Sequence, residues 1–219
     1  MIYFLFTNIF SSFALIFIGF VLSKSPSNIS SANLSSSIVW IVRLSGLAPY
    51  ASSNPSFADI QGEWFQSGIE FMHHKGAFNV EEGGNVQPYL AITRGETFKI
   101  VALGLGFTTD TTLSNAEYTN LLYELGYIVG DGSGNLNVGG TITRAEFCTM
   151  YNRIIGHEYA LLVDAEGNEI TAETYGFTDL DSGKWYYEAM LRATSAYDDD
   201  GYVDIAKRGI RNNLDDYGN

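Results

Sequence analysis

Two short stretches of this sequence carry residue types that could do chemistry together. Thr93-Arg94-Gly95-Glu96 and Thr143-Arg144-Ala145-Glu146 stand 50 residues apart, each preceded by Ile. Both read Thr-x-x-Glu, the pattern of a capping box. In it the Thr hydroxyl accepts from the amide three residues on, and the Glu carboxylate reaches back to the Thr amide. Glu96 and Glu146 are thereby assigned to helix capping rather than acid–base work. Arg94 and Arg144 then fall on the first helical position, where free amides and the positive end of the helix dipole favour an anion. A guanidinium adds a planar fork suited to a carboxylate or phosphate. The pattern predicts a helix start fitted with an anion receptor. One such box with a solvated Arg would say little, but its recurrence at equivalent positions points to binding.

The elements that must position these residues are themselves repeated. A shift of 50 places Gly76 on Gly126, Gly84-Asn85 on Gly134-Asn135 and Gly106 on Gly156. A third unit shows through its start: Phe57-Ala58-Asp59-Ile60 is echoed by Phe177-Thr178-Asp179-Leu180, and Trp64-Phe65 by Trp185-Tyr186. A period of this size indicates one supersecondary unit repeated to build a shared core. Each unit reads as helix, Gly-rich loop, helix. Helices are expected from Trp64 to Met72, Thr93 to Leu105, Asn115 to Leu125, Arg144 to Ile155 and Trp185 to Ala193, with Gly at the stops. The expected modules are 57–106, 107–160 and 161–219.

Composition bounds the function. The chain has 219 residues and a formal net charge of −13. Residues 57–219 hold 10 basic and 25 acidic side chains, whereas residues 1–56 hold only Lys24 and Arg43. Such an acidic balance argues against a general nucleic-acid partner, whose phosphates need Lys and Arg. Cys148 is the lone cysteine, so there is no internal disulfide framework. Residues 1–22 form an uncharged, mostly apolar run that reads as an anchor or export signal, with membrane contact in the former case. A buried apolar helix is the alternative. Residues 23–56 read as a Ser- and Pro-containing linker with a second apolar run within 38–50, itself a candidate signal core.

The Phe-x-Asp-Ile/Leu start, the Trp, the loop glycines and the Ile-Thr-Arg-Ala-Glu-Phe element resemble the S-layer homology domain family. The resemblance spans about residues 57–219 and is most specific over 126–156. It implies a mainly α fold of tandem helix–loop–helix modules in a pseudo-threefold, trilobed bundle. It also implies non-covalent anchoring of a secreted protein to the bacterial cell surface. The implied partner is an anionic, pyruvylated secondary cell-wall polysaccharide associated with peptidoglycan. Arg94 and Arg144 inherit ligand contact by position, with Thr93 and Thr143 beside them. Asp59, Trp64, Asp179 and Trp185 match the module start and are expected to line the same grooves. No cofactor or metal is implied. Three departures stand out: Gly95 replaces the usual Ala, the second unit lacks the Phe-x-Asp and Trp start, and the third lacks the Arg element. At most two Arg-based grooves are therefore expected.

Weaker signals remain. Asp131-Gly132-Ser133-Gly134-Asn135 imitates the start of a calcium loop but has Leu136 at position six and Ile142 at position twelve, where Gly and Glu are needed. His73 and His74 are expected as a surface pair and Cys148 as a small core residue. Asp198, Asp199 and Asp200 read as a solvated turn. No acid pair is singled out for glycoside hydrolysis. Besides wall anchoring, a self-assembling surface-layer protein and a wall-acting hydrolase component stay open.

Overall fold

The computed structural model describes residues 32–44, 57–81 and 83–205. The apolar run 1–22 lies outside them, as does most of the segment 23–56. Among the described residues the chain is helical, with isolated β-bridges in place of a sheet. The order is α1 (Leu34–Leu44), a 3-10 turn (Ala58–Ile60), α2 (Gln66–His74), α3 (Arg94–Gly104), α4 (Asn115–Glu124), α5 (Arg144–Ile154) and α6 (Tyr187–Thr194). None of these helices is long and apolar enough to cross a membrane.

The repeat is visible in the helix boundaries: α3 and α5 span 94–104 and 144–154, a shift of 50 residues. Each starts at the expected capping box, from Thr93 with Glu96 and from Thr143 with Glu146. Each also ends alike. Phe107 N donates to Ala102 O and His157 N to Asn152 O, the closing bonds of a Schellman turn. The turn residues Gly106 and Gly156 have φ of +75° and +78°, a region a Cβ would strain. Non-glycine residues share such a conformation one loop earlier, where Gln87 and Asn137 have φ of 57° and 45°.

Two compact units result, one over Ser31–Ile142 and one from Thr143 onward. They run out of phase with the sequence repeat, because the break falls within the second repeat, just before its Arg element. In the first unit α1 packs on α2 and α3, and α4 packs on α3. Its core includes Ile38, Ile41, Phe57, Phe65, Ile69, Met72 and Phe98, all at most 1% exposed. Full burial of such a side chain contributes about 1.5–3 kcal/mol. In the second unit α5 packs on α6. Asn152, 2% exposed, ties them together by donating its Nδ2 to Ala189 O at 2.8 Å.

Two expectations from the sequence change here. By sequence, residues 34–44 are linker and apolar run, yet they form α1, with Ile38, Ile41 and Val42 buried. Serines at Ser35 and Ser37 disguised the pattern, but both are buried at the helix start. His73 is not a surface residue like His74. Its ring stands edge-on to Phe57 at 4.8 Å, and its Nε2 is 3.1 Å from Val80 O. One of two adjacent helical positions faces inward, and packing chose His73. Cys148 is buried, in the core as expected.

Candidate functional site

Backbone bonds that no local pattern announces tie together the segments just ahead of the Arg-bearing helix starts. Ala32 N donates to Ile142 O at 2.9 Å, Ile92 N to Ala32 O at 3.1 Å and Ile142 N to Ile92 O at 3.1 Å. These three residues close a ring and are at most 3% exposed. In sequence each member is followed, two residues on, by the first residue of a helix: α1, α3 or α5.

At α3 the Arg94 amide donates to Gly140 O at 2.8 Å and the Gly95 amide to Val138 O at 2.9 Å. The first helical amides are thus occupied. Glu96 accepts from both the Thr93 amide and hydroxyl, at 2.8 and 2.6 Å. The Arg94 side chain is half-buried. Its Nε donates to Leu136 O at 2.9 Å, and its Cζ lies 5.5 Å from the Phe98 ring centroid. One edge of the fork is therefore fixed and its direction set. Gly95 has a packing reason. A Cβ there would come within 2.7 Å of Val138 Cγ1 and 2.9 Å of Asn115 Cβ. Its absence permits the close approach of the loop, which outweighs the intrinsic helix penalty.

At α5 the capping box repeats, with Glu146 accepting from the Thr143 amide at 2.8 Å and hydroxyl at 3.0 Å. Arg144 differs from Arg94 in being only 3% exposed. Burial pushes its pKa down from the ordinary Arg value, and the electrostatics of Cys148 and Asp179 oppose that shift. Burial also pushes the Cys148 thiol up, so it stays protonated. Arg144 and Asp179 are thus near enough to interact electrostatically.

Asp59 has a defined structural task. Its carboxylate accepts from the amides of Val86 at 3.1 Å and Gln87 at 2.8 Å, clamping the loop that follows α2. Trp64 and Trp185 are 58% and 67% exposed, each edge-on to the buried aromatic after it, Phe65 and Tyr186. Exposed indole faces of this kind can stack on sugar rings.

The remaining acidic loops are internally bonded. Asp131 Oδ1 accepts from the Ser133 amide and hydroxyl and the Asn135 amide. Asp198 Oδ1 accepts from the amides of Asp200 and Tyr202. Both are turns built on an Asx side chain.

The family model for the S-layer homology domain matches residues 56–98 and 109–148. The chain carries two tandem S-layer homology domains. Each match starts ahead of the first helix of its repeat and ends within the Arg-bearing helix. S-layer homology domains anchor proteins at the cell surface by binding cell-wall polymers, and the family is one of binding rather than of catalysis. No curated protein matches the chain.

One helix start outside the matched residues escaped the sequence reading. Leu34 N donates to Leu90 O at 3.2 Å and Ser35 N to Pro88 O at 2.9 Å. These bonds repeat those of Arg94 to Gly140 and Gly95 to Val138. The antiparallel bridge of Asn33 with Ala91 likewise repeats that of Thr93 with Thr141. Asn33-Leu34 thus stands in unit Ser31–Ile142 where Thr93-Arg94 stands, with Leu in place of Arg. A shift of 60 rather than 50, with no Thr, Arg or Glu retained, hid it from a search for the motif.

Proposed function

We propose that this protein anchors non-covalently to the bacterial cell wall by binding an anionic, pyruvylated secondary cell-wall polysaccharide. The observation that carries the reading is Arg94, half-exposed at a capped helix start with one nitrogen bonded to Leu136 O and its fork held in direction. A pyruvate ketal presents a carboxylate, the planar partner that such a fork takes. Thr93 lies beside Arg94 at the helix start, and Trp64 offers an exposed face for a sugar ring. Arg144, Thr143, Asp179 and Trp185 form the corresponding set after Ile142. Because Arg144 is buried, its contact requires the covering side chains to shift on binding. Asp59 acts through the loop it clamps. We assign residues 161–219 as a third, divergent module, and the protein as secreted and surface-attached.

The reading addresses the charge conflict. With 25 acidic against 10 basic side chains after residue 56, long-range electrostatics oppose an anionic polymer. Only a locally placed cation overcomes that. Sedimentation with purified walls tests it: the chain pellets with native walls and stays in solution after the secondary polymer is chemically stripped. Binding also weakens between 0.1 and 1 M salt, as the Debye length falls from about 10 to 3 Å. Equal pelleting with stripped walls would overturn the reading.

A further inference from the structure

A cavity of about 330 Å³ opens beside the start of α1 within the unit Ser31–Ile142. That is the lower end of the range for small-ligand sites and suits a single sugar ring. Leu34 forms part of its wall, at the place equivalent to that of Arg94. Val86 and Leu90 continue the apolar side. The polar side holds three amide side chains, Asn79, Gln87 and Asn115. Glu96 and Lys99 add one charge of each sign. Glu96 is held by Thr93, and Lys99 Nζ lies 5.9 Å from the Tyr118 ring centroid.

The balance decides the ligand class. A carboxylate entering here meets a Glu as well as a Lys, and no guanidinium fork. A neutral pyranose meets carboxamide donors and acceptors for its hydroxyls, and an apolar wall for its ring face or acetyl methyl. Such a site discriminates by unsatisfied polar groups rather than by net charge. We propose that this cavity binds an uncharged sugar residue and that Leu34 is the residue that sets its specificity apart from that of the Arg94 position. The proposal rests on the wall-polysaccharide reading and adds to it a second ligand chemistry.

The full chain, labelled with ¹⁵N, is titrated with N,N′-diacetylchitobiose and separately with the methyl glycoside of pyruvylated N-acetylmannosamine. The neutral disaccharide is expected to shift the amides of Asn79, Gln87 and Leu90 saturably, and to do so equally in Arg94→Ala. Asn79→Ala combined with Gln87→Ala is expected to weaken this binding about fivefold or more, the worth of a lost hydrogen bond, at unchanged Tm. In Leu34→Arg the pyruvylated sugar is expected to shift those same amides. The proposal is overturned if the neutral sugar leaves them unmoved, or if the pyruvylated sugar moves them as strongly in the native chain. Wall pelleting that survives Arg94→Ala would refute the Arg94 reading alone and leave the outcome of this titration intact.

Discussion

Arg94 and Leu136, 42 residues apart in sequence, are joined by a 2.9 Å hydrogen bond from Nε to the carbonyl oxygen. The bond couples the start of α3 to the loop that follows α4.

Arg94→Ala is expected to reduce wall binding about ten- to hundredfold, the scale of one charge-assisted hydrogen-bonded contact of 1.5–3 kcal/mol. Arg94→Lys is expected to restore little of it, since an ammonium cannot hold Leu136 O and present a fork at once. Co-sedimentation with purified walls reads both, with Tm as the check on folding. Full activity in the Lys variant would show that charge alone suffices.

Residues before the first matched domain belong to the fold. Ile38 and Ile41 are 0% and 1% exposed in α1. Ile41→Ala is expected to cost about 2–5 kcal/mol, seen as a lower Tm and denaturation midpoint. Gly104→Ala is expected to be costly too, because its Cβ would press on Ile41 Cγ2 and Met72. For the same reason, any cleavage that leaves the fold intact is expected to fall before Ala32. A mature N-terminus after Ala48, found by mass spectrometry, would remove α1 and contradict this.

Asp59 is expected to matter for the loop rather than for direct ligand contact. Its carboxylate satisfies two amides, and one belongs to Gln87 at positive φ. Asp59→Ala leaves both without that acceptor and is expected to cost about 1–3 kcal/mol of stability. Faster hydrogen exchange at Val86 and Gln87 than elsewhere in the unit is the specific sign. Unchanged exchange there would remove the clamp role.

His157 gives the second unit an acid limit. Burial lowers its pKa from 6.5 to about 4, and its ring lies 4.5 Å from that of Tyr197. The unfolded chain takes up a proton near pH 6.5 that the folded chain refuses until about pH 4. Stability is therefore fully present above pH 6.5 and falls as pH drops toward 4, by at most about 3 kcal/mol. Unfolding followed from pH 7 to 4 checks this. His157→Phe keeps a ring against Tyr197 and should flatten that part of the profile. A slope identical to the native one would assign the acid limit to other groups.

Some of this architecture was legible because it is local. The capping boxes at Thr93 and Thr143 need only four consecutive residues, and the glycines after α3 and α5 need only a positive φ. A 50-residue shift then exposed the repeat. Other features depended on distant partners. The three serines 35–37 and the apolar run 38–42 read as linker and candidate signal core because nothing nearby shows that α2 and α3 offer Ile38 and Ile41 a surface. Arg94 and Arg144 share one motif, yet one is half-exposed and the other 3% exposed.

The sequence by itself determined where the Arg-bearing helices begin and end, since capping and Schellman turns close within a few residues of backbone. Tertiary structure alone decided that Ala32, Ile92 and Ile142 bond in a ring and that α1 enters the fold in the manner of α3. It also decided which guanidinium keeps contact with water. Those outcomes depend on hydrogen bonds and burial between segments 50 to 110 residues apart. Their free energy is shared among groups that no single stretch of chain contains.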